Sequence, residues 1–332
     1  MNRVAVTGST GFIGGNLVRK LLESGEKVRL LIRDTSRIQP LRDLPVEYSQ
    51  ADLLDKSSLI RGLKDCSRLY HLAAYAKNWA PDKEVFLRIN LEGLRNILEA
   101  SIEEGLKKVV YVSSSVVNGP SRDGPVSEKT SRDHIPYFTD YEESKARAEK
   151  IIPEYLARNL EVTIARPTRV FGPGKLNEAN SVTRIIKYYL KLRLCPLLDR
   201  GQQVGNYVYV DDVVEGLRLL MERGRNGEAY ILGGENISLA GFYDLLEAVS
   251  GIKAIRMKIP VSLAKAIANL ESWKAENFKI YPFITKGWVM TFLQNWACSH
   301  QKASLELGYQ PRSLKEGLKL TLEWFGYKTP GR

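Results

Sequence analysis

Tyr141 and Lys145, in the run YEESK, stand four residues apart. On a helix that spacing puts both side chains on one face, a turn apart. A phenol has an unperturbed pKa of about 10, too high for ready proton exchange at neutral pH. A lysine ammonium close by, with the positive nicotinamide of an oxidised cofactor, favours phenolate and moves that pKa toward the working range. Tyr141 can then give a proton to a carbonyl oxygen as hydride arrives, or take one from an alcohol. Upstream, KKVVYVSSSVVNG ends a strand-like run in three hydroxyls, Ser113, Ser114 and Ser115, any of which could hold the substrate oxygen. Tyr-x-x-x-Lys alone recurs on many helices with the tyrosine merely half-buried. The hydroxyl-bearing strand end and the glycine turn after it are what make the pair catalytic in expectation.

Such a pair needs a cofactor, and the first fifty residues read as its holder. RVAVTGSTGFIGGNLVRKLLESGEKVRLLIRDTSR predicts strand, glycine turn, helix, strand. Gly8, Gly11 and Gly14 permit a tight turn, close approach of backbone to a pyrophosphate, and close helix–strand packing. Thr10, Phe12 and Ile13 complete the turn, and the helix start offers unpaired N–H groups to the phosphates. The position expected to carry an acid for the ribose is Ile32, followed at once by Arg33. Arg33 and Arg37 suit a 2′-phosphate, since arginine recognises planar anions with several donors. NADP(H) is therefore favoured over NAD(H), which would instead need Asp34, two residues late, to reach the ribose.

Strand-like runs near 3–7, 27–33, 46–50, 68–73, 108–114, 161–166 and 229–232 alternate with helical patterns. That alternation predicts an α/β fold with a parallel, doubly wound sheet. Pro153 should kink or divide the helix that carries Tyr141. Asp211 or Asp212, at the start of a helical run, suits capping. His134, in a polar stretch with Asp133, reads as a loop residue.

Over 332 residues, Lys and Arg exceed Asp and Glu by 11, but the basic residues are scattered, with no run of five. A solvated basic surface is expected rather than a nucleic-acid patch. Three separated cysteines and three histidines offer no metal spacing, so no metal is expected. No 18-residue apolar run and no leader layout are present, pointing to a cytoplasmic protein without an integral membrane segment.

The order of TGSTGFIG (7–14), ADLLD (51–55), HLAA (71–74), YVSSS (111–115), YEESK (141–145), RPTRVFGPG (166–174) and YVDDV (209–213) resembles the extended short-chain dehydrogenase/reductase family. That group includes nucleotide-sugar epimerases and dihydroflavonol-type reductases, and the resemblance covers nearly the whole chain. It implies that Asp52 and Leu53 frame the adenine, that Leu72, Ala73 and Ala74 line the cofactor cleft, and that Pro167 sits beside the nicotinamide. Tyr141 and Lys145 would also contact the cofactor. Spacing back from Gly119 in the family's motif selects Ser114, with Ser115 as the alternative if the turn is shifted by one. Asn90, in RINLEGLRNILEA, either supports the site through helix and water contacts or is a solvated helix residue.

The expected architecture is a Rossmann domain, residues 1–172 with 207–236, and a smaller mixed lobe, 173–206 with 237–332, that binds substrate. A homodimer through two helices of the Rossmann domain is implied by the resemblance alone.

Nucleotide-sugar members of the family usually carry an Asn soon after the Arg ending the strand, and an Arg shortly before the VDD motif. Here the first segment reads Arg166-Pro167-Thr168-Arg169, and Gly205 holds the second position. A diphosphate would lose charge-assisted partners at both. The candidate lining is instead apolar and aromatic, Tyr75, Trp79, Tyr137 and Phe138, with Ser115 and Asn118 nearby, while Arg169 and Lys175 could still attract an anion. The favoured reading is an NADP(H)-dependent reductase of a small, largely apolar ketone or aldehyde. The alternatives are a nucleotide-sugar epimerase or dehydratase and a dinucleotide-binding regulator without chemistry, the last opposed by the intact Ser114, Tyr141 and Lys145.

Overall fold

Val4 and Val6 point into one helical layer and Ala5 into the other, all fully buried, because successive strand residues face opposite sides of a sheet. Their strand, β1 (Arg3–Thr7), lies inside a sheet of seven parallel strands in a computed structural model that describes residues 3–327 apart from Asp133. The side chains of Arg37 and Pro40 lie outside that description. Strand β1 pairs with β2 (Lys27–Ile32) and β4 (Cys66–His71), and the same sheet holds β3 (Glu47–Gln50), β5 (Lys108–Val112) and β6 (Glu161–Pro167). Three short strands outside the large sheet follow, β7 (Arg169–Phe171), β8 (Leu194–Leu198) and β9 (Val204–Tyr209). After β10 (Ala229–Leu232), which closes the large sheet, come β11 (Glu235–Ser238) and β12 (Ile255–Ile259).

The large sheet runs β10-β6-β5-β4-β1-β2-β3, every pair parallel. Chain direction across the sheet reverses between β1 and β4, and ligands of such sheets bind at the strand C-termini beside that point. Smaller sheets join β11-β9-β7 and β12-β8.

The helices are α1 (Phe12–Glu23), α2 (Lys56–Leu63), α3 (Glu84–Leu87), α4 (Gly93–Glu103), α5 (Asp140–Glu149), α6 (Ile152–Leu156) and α7 (Ser181–Leu192). Then follow α8 (Val210–Arg223), α9 (Leu239–Ser250), α10 (Val261–Phe278), α11 (Lys286–Phe292), α12 (Gln301–Leu307) and α13 (Leu314–Trp324). Helices α1, α8 and α12 cover one face of the sheet with Leu17, Leu217 and Leu307, while α2, α4 and α6 cover the other with Leu63, Ile97 and Tyr155. A separate core of Ile186, Tyr189, Tyr207, Phe242, Tyr243 and Leu318 holds the smaller part together.

The seven sheet strands fall within two residues of the runs expected from the sequence. Pro153 divides the helix: α5 ends at Glu149, and the proline sits in the first turn of α6, where its missing N–H costs no helical bond. The acids of the VDD run do not cap. Helix α8 is entered from Tyr209 with no side-chain cap, and Asp212 accepts instead from the backbone N–H and the Nε of Arg312, a hundred residues on.

Candidate active site

Helix α5 begins where it does because Thr139 accepts from the N–H of Glu142 at 3.2 Å, and Asp140, Glu142 and Glu143 fill a first turn that favours acids. Glu142 is buried and anchors that end. It accepts from Arg132 at 2.6 Å, from the N–H of Phe138 at 3.1 Å and from Thr291 Oγ1 at 3.3 Å, tying the loop before α5 and helix α11 to it. One residue earlier, Tyr141 meets the hydroxyl of Ser114. Ser114 follows β5 and caps a single 3₁₀ turn, Ser115–Asn118. The structure thus brings Ser114 and Tyr141 together. Ser115 is buried on the other side of the turn, beside Cys298.

Lys145, one turn on, is 2% exposed and donates to the carbonyl of Val112 at 2.8 Å and to Tyr111 Oη at 3.4 Å. Burial pulls its ammonium down to about 7, against the carboxylate of Glu149, which favours the charge. Burial pushes the Tyr141 phenol up to about 12, opposed by the hydrogen bond with Ser114. Both groups are dry, and desolvation disfavours each charged form. Tyr111 was missed by the sequence reading. A phenol in an otherwise aliphatic buried strand must find a polar partner, and it finds Lys145, while its ring stacks on His71 at 5.8 Å.

Asn90 lies on a π-helical turn, Arg88–Glu92, between α3 and α4. Its amide accepts from the N–H of Tyr75 at 2.7 Å and donates to Ser144 Oγ at 2.8 Å; Ser144 in turn donates to the carbonyl of Tyr141 at 2.9 Å. Asn90 therefore ties the segment after β4 to the turn that bears Tyr141.

Gly8 has a φ of +69°, and a Cβ there would lie 2.6 Å from the N of Ala73; at Gly14 one would lie 2.2 Å from the carbonyl of Gly8. Helix α1 starts at Phe12 and Ile13 with Gly11 as its cap and no side chain on its first N–H groups. This tight cradle, with the Ser9 hydroxyl buried and without a hydrogen-bond partner among the described residues, fits a dinucleotide pyrophosphate. Thr10 lies in the same turn. Leu72 and Ala73 hang their N–H groups on Thr7 Oγ1 at 3.2 Å, which fixes the run into Ala74. Asp52 is bound locally to the N–H of Leu54, and Leu53 packs on Gly93. Arg33 is exposed at the end of β2, while Asp34 caps the 3₁₀ helix Thr35–Leu41 through Ser36. The side chain of Arg37 falls outside the described residues. Pro167 ends β6 opposite Leu232.

The residues expected at the substrate divide. Tyr75 and Trp79 stand in the segment after β4, Tyr75 edge-on to Phe86 at 4.8 Å and Trp79 edge-on to Tyr281 at 5.6 Å. Phe138 meets Trp296 edge-on at 6.3 Å, whereas Tyr137 is exposed and lies under Arg132. Asn118 is corrected. It is buried and donates to the carbonyls of Ser127 and Thr130 while accepting from Arg166, so it clamps its own loop. Arg166 is bound to Glu149. Arg169 lies over the rings of Tyr207 and Phe292, and Lys175 is exposed. His134 sits exposed in its loop at φ +60°. Among the described residues no cluster of His, Cys, Asp or Glu is placed for a metal, and no helix is long and apolar enough to cross a membrane.

A reversed-direction parallel sheet, a glycine cradle at its edge and a Ser–Tyr–Lys set opposite define a dinucleotide-dependent enzyme. The family model described as the NAD dependent epimerase/dehydratase family matches residues 4–233, and the chain belongs to that family, an NAD(P)-dependent enzyme of the extended short-chain dehydrogenase/reductase type. It is 32% identical over 325 residues to a Synechocystis protein named "Putative dihydroflavonol 4-reductase", covering 96% of this chain and 93% of that one. It is 30% identical over 278 residues to the 4-hydroxy-2-methyl-3-oxo-4-farnesyl-3,4-dihydroquinoline-1-oxide ketoreductase of Stigmatella aurantiaca, covering 82% and 81%. The solved UDP-glucuronic acid 4-epimerase of Bacillus cereus, with UDP-glucuronic acid and NAD, superposes with a TM-score of 0.77 at 26% identity, covering 98% and 99%. Reductases and nucleotide-sugar epimerases are thus both relatives.

Proposed function

We propose that this protein reduces a ketone or aldehyde of a small, largely apolar substrate with NADPH, or oxidises the corresponding alcohol. The observation that carries the reading is the aromatic wall after β4, Tyr75 on Phe86 and Trp79 on Tyr281, tied through Asn90 to the turn that bears Tyr141. Aromatic walls with a few placed polar groups suit apolar ligands.

The dinucleotide supplies or accepts the hydride. Gly8, Gly11, Gly14 and the α1 N–H groups would hold its pyrophosphate, with Leu72, Ala73, Ala74 and Pro167 around the cleft. Ser114 holds the substrate oxygen, and Tyr141, a neutral phenol over the physiological range, gives it a proton. Lys145, tied to the end of β5, orients the ribose side of the site. The exposed Arg33, with Asp34 committed to its own turn, supports NADP(H). Residues 173–206 and 237–332 form the substrate lobe in this reading. The ketoreductase relative acts, by its name, on a farnesylated ring ketone, which agrees with an apolar substrate.

A nucleotide-sugar reading keeps one specific observation. Although Gly205 lacks the expected arginine, the guanidinium of Arg169 reaches its place. The deciding experiment incubates purified protein and NADPH with a panel of lipophilic ketones and aldehydes, and separately with nucleotide sugars. Ketone-dependent loss of NADPH is expected. Interconversion of a nucleotide sugar without net cofactor consumption would overturn the reading.

A further inference from the structure

Helix α10 turns its larger apolar side chains away from the protein. Its buried positions are alanines: Ala264 and Ala268 pack with Val289, Ile259 and Leu293, and Ala275 is buried further along. Leu263, Ile267, Leu270 and Trp273 recur at intervals of four, three and three, so they share another face. They are 41% to 55% exposed. The next turn extends that surface with Phe278, edge-on to Trp273 at 5.5 Å, and Phe283, 92% exposed. Ile255 and Met257, exposed, lie on the same face of β12 as Ile259, which packs beneath α10. Isolated exposed hydrophobes need no explanation, but a contiguous set of this size marks an interaction surface.

The charges around it say what covers it. Between residues 251 and 292 there are seven basic residues and two acids. Lys253, Lys265, Lys279 and Lys286 are exposed and make no ion pair among the described residues; of the two acids, Glu271 is already paired with Lys274 and Glu276 is exposed. A second copy would bring the same lysines face to face, a juxtaposition that repels. A surface rich in lipid phosphate satisfies the lysines while taking up the aromatic and aliphatic side chains. No described helix is long and apolar enough to span a bilayer, so the helix would lie on one.

We propose that this face seats the protein on an anionic lipid bilayer, α10 lying in the plane of the interface and Phe283 entering the headgroup layer. The far end of the patch adjoins the cleft, since Tyr281 packs on Trp79. The docking stands apart from the reductase reading, because it needs neither substrate nor cofactor and its key residues lie outside the cleft.

The test is sedimentation of the full chain with vesicles of phosphatidylcholine alone or mixed with phosphatidylglycerol. Binding to the mixed vesicles should exceed that to phosphatidylcholine by about tenfold or more and fall with added salt. The combined Leu270→Ser, Trp273→Ser and Phe283→Ser variant should lose about tenfold of it with its circular dichroism unchanged. If that variant misfolds, combined Lys265→Glu, Lys279→Glu and Lys286→Glu must lose the binding instead. Equal binding to both vesicle types, or unchanged binding in a folded variant, would overturn the proposal. So would a wild-type dimer that the serine variant dissolves, since the face would then belong to a second copy.

Discussion

The guanidinium of Arg169 lies against Gly205, so close that a Cβ there would come within 2.7 Å of Nη1. Tyr207 and Phe292 hold the same group at 5.7 and 5.2 Å from their ring centres, and Tyr207 Oη accepts from it at 3.4 Å. Two positions that the sequence separates by thirty-six residues therefore share one volume. The small residue at 205 makes room for the cation of 169.

Arg169→Gln separates the two catalytic readings. With an uncharged ketone, kcat/KM should stay within about threefold of wild type, the effect of a side chain that the ligand does not need. If UDP binds to the wild-type protein through this arginine, calorimetry should show its affinity fall by about tenfold or more, the loss of a charged hydrogen bond. A large loss with the neutral ketone would place Arg169 at the apolar substrate instead.

Tyr141→Phe keeps the ring and removes the proton. Reduction should fall by about 10² to 10⁴, the usual worth of a placed general acid, while cofactor titration by fluorescence stays at the wild-type value. Burial raises the phenol to about 12, so the neutral donor persists through the neutral range and reduction should be nearly flat there. Oxidation, which needs phenolate, should climb with pH by about tenfold per unit below that value. Retained wild-type reduction in the phenylalanine variant would remove Tyr141 from the mechanism.

The strands, the glycine cradle and the Ser114–Tyr141 contact were legible because each rests on local pattern: alternation, glycine spacing, a four-residue helical step. What was not legible rests on partners far along the chain. Asn118 reads as a polar residue near the turn after β5, and only the return of Arg166 and the loop at 127–130 turns it into a clamp. Asp212 reads as a helix cap until Arg312 arrives. Trp273 stands outside the core because alanines take the packed side of α10, which helical spacing alone does not reveal. At Tyr141 too, spacing gives the distance to a lysine and not how dry both groups are.

Arg33→Ala tests the cofactor preference. The arginine is exposed at the end of β2, and losing a charged hydrogen bond to a 2′-phosphate costs about 1.5–3 kcal/mol. The dissociation constant for NADPH should rise by about tenfold or more, and that for NADH should change little. Wild-type protein that binds NADH more tightly than NADPH would reverse the reading of that strand end.

Lys145 makes stability itself depend on pH. Its pKa drops from an ordinary 10.5 to about 7 on folding, chiefly through burial, with Glu149 pulling the other way. Between those values the unfolded chain holds more protons than the folded one. The stability that goes with the neutral amine is therefore complete above about 10.5 and is lost as pH falls through 7. His71, whose own protonation burial and Lys145 hold down to about 3, adds no charge in that window. Lys145→Met removes the linkage while keeping an unbranched chain that fills the space. Urea unfolding of both proteins from pH 6 to 10 should show the variant gaining on wild type as pH falls, by an amount on the order of a few kcal/mol across the range. A difference that does not vary with pH would mean that Lys145 keeps its proton throughout, and that the Val112 carbonyl and Tyr111 hydroxyl hold an ammonium rather than an amine.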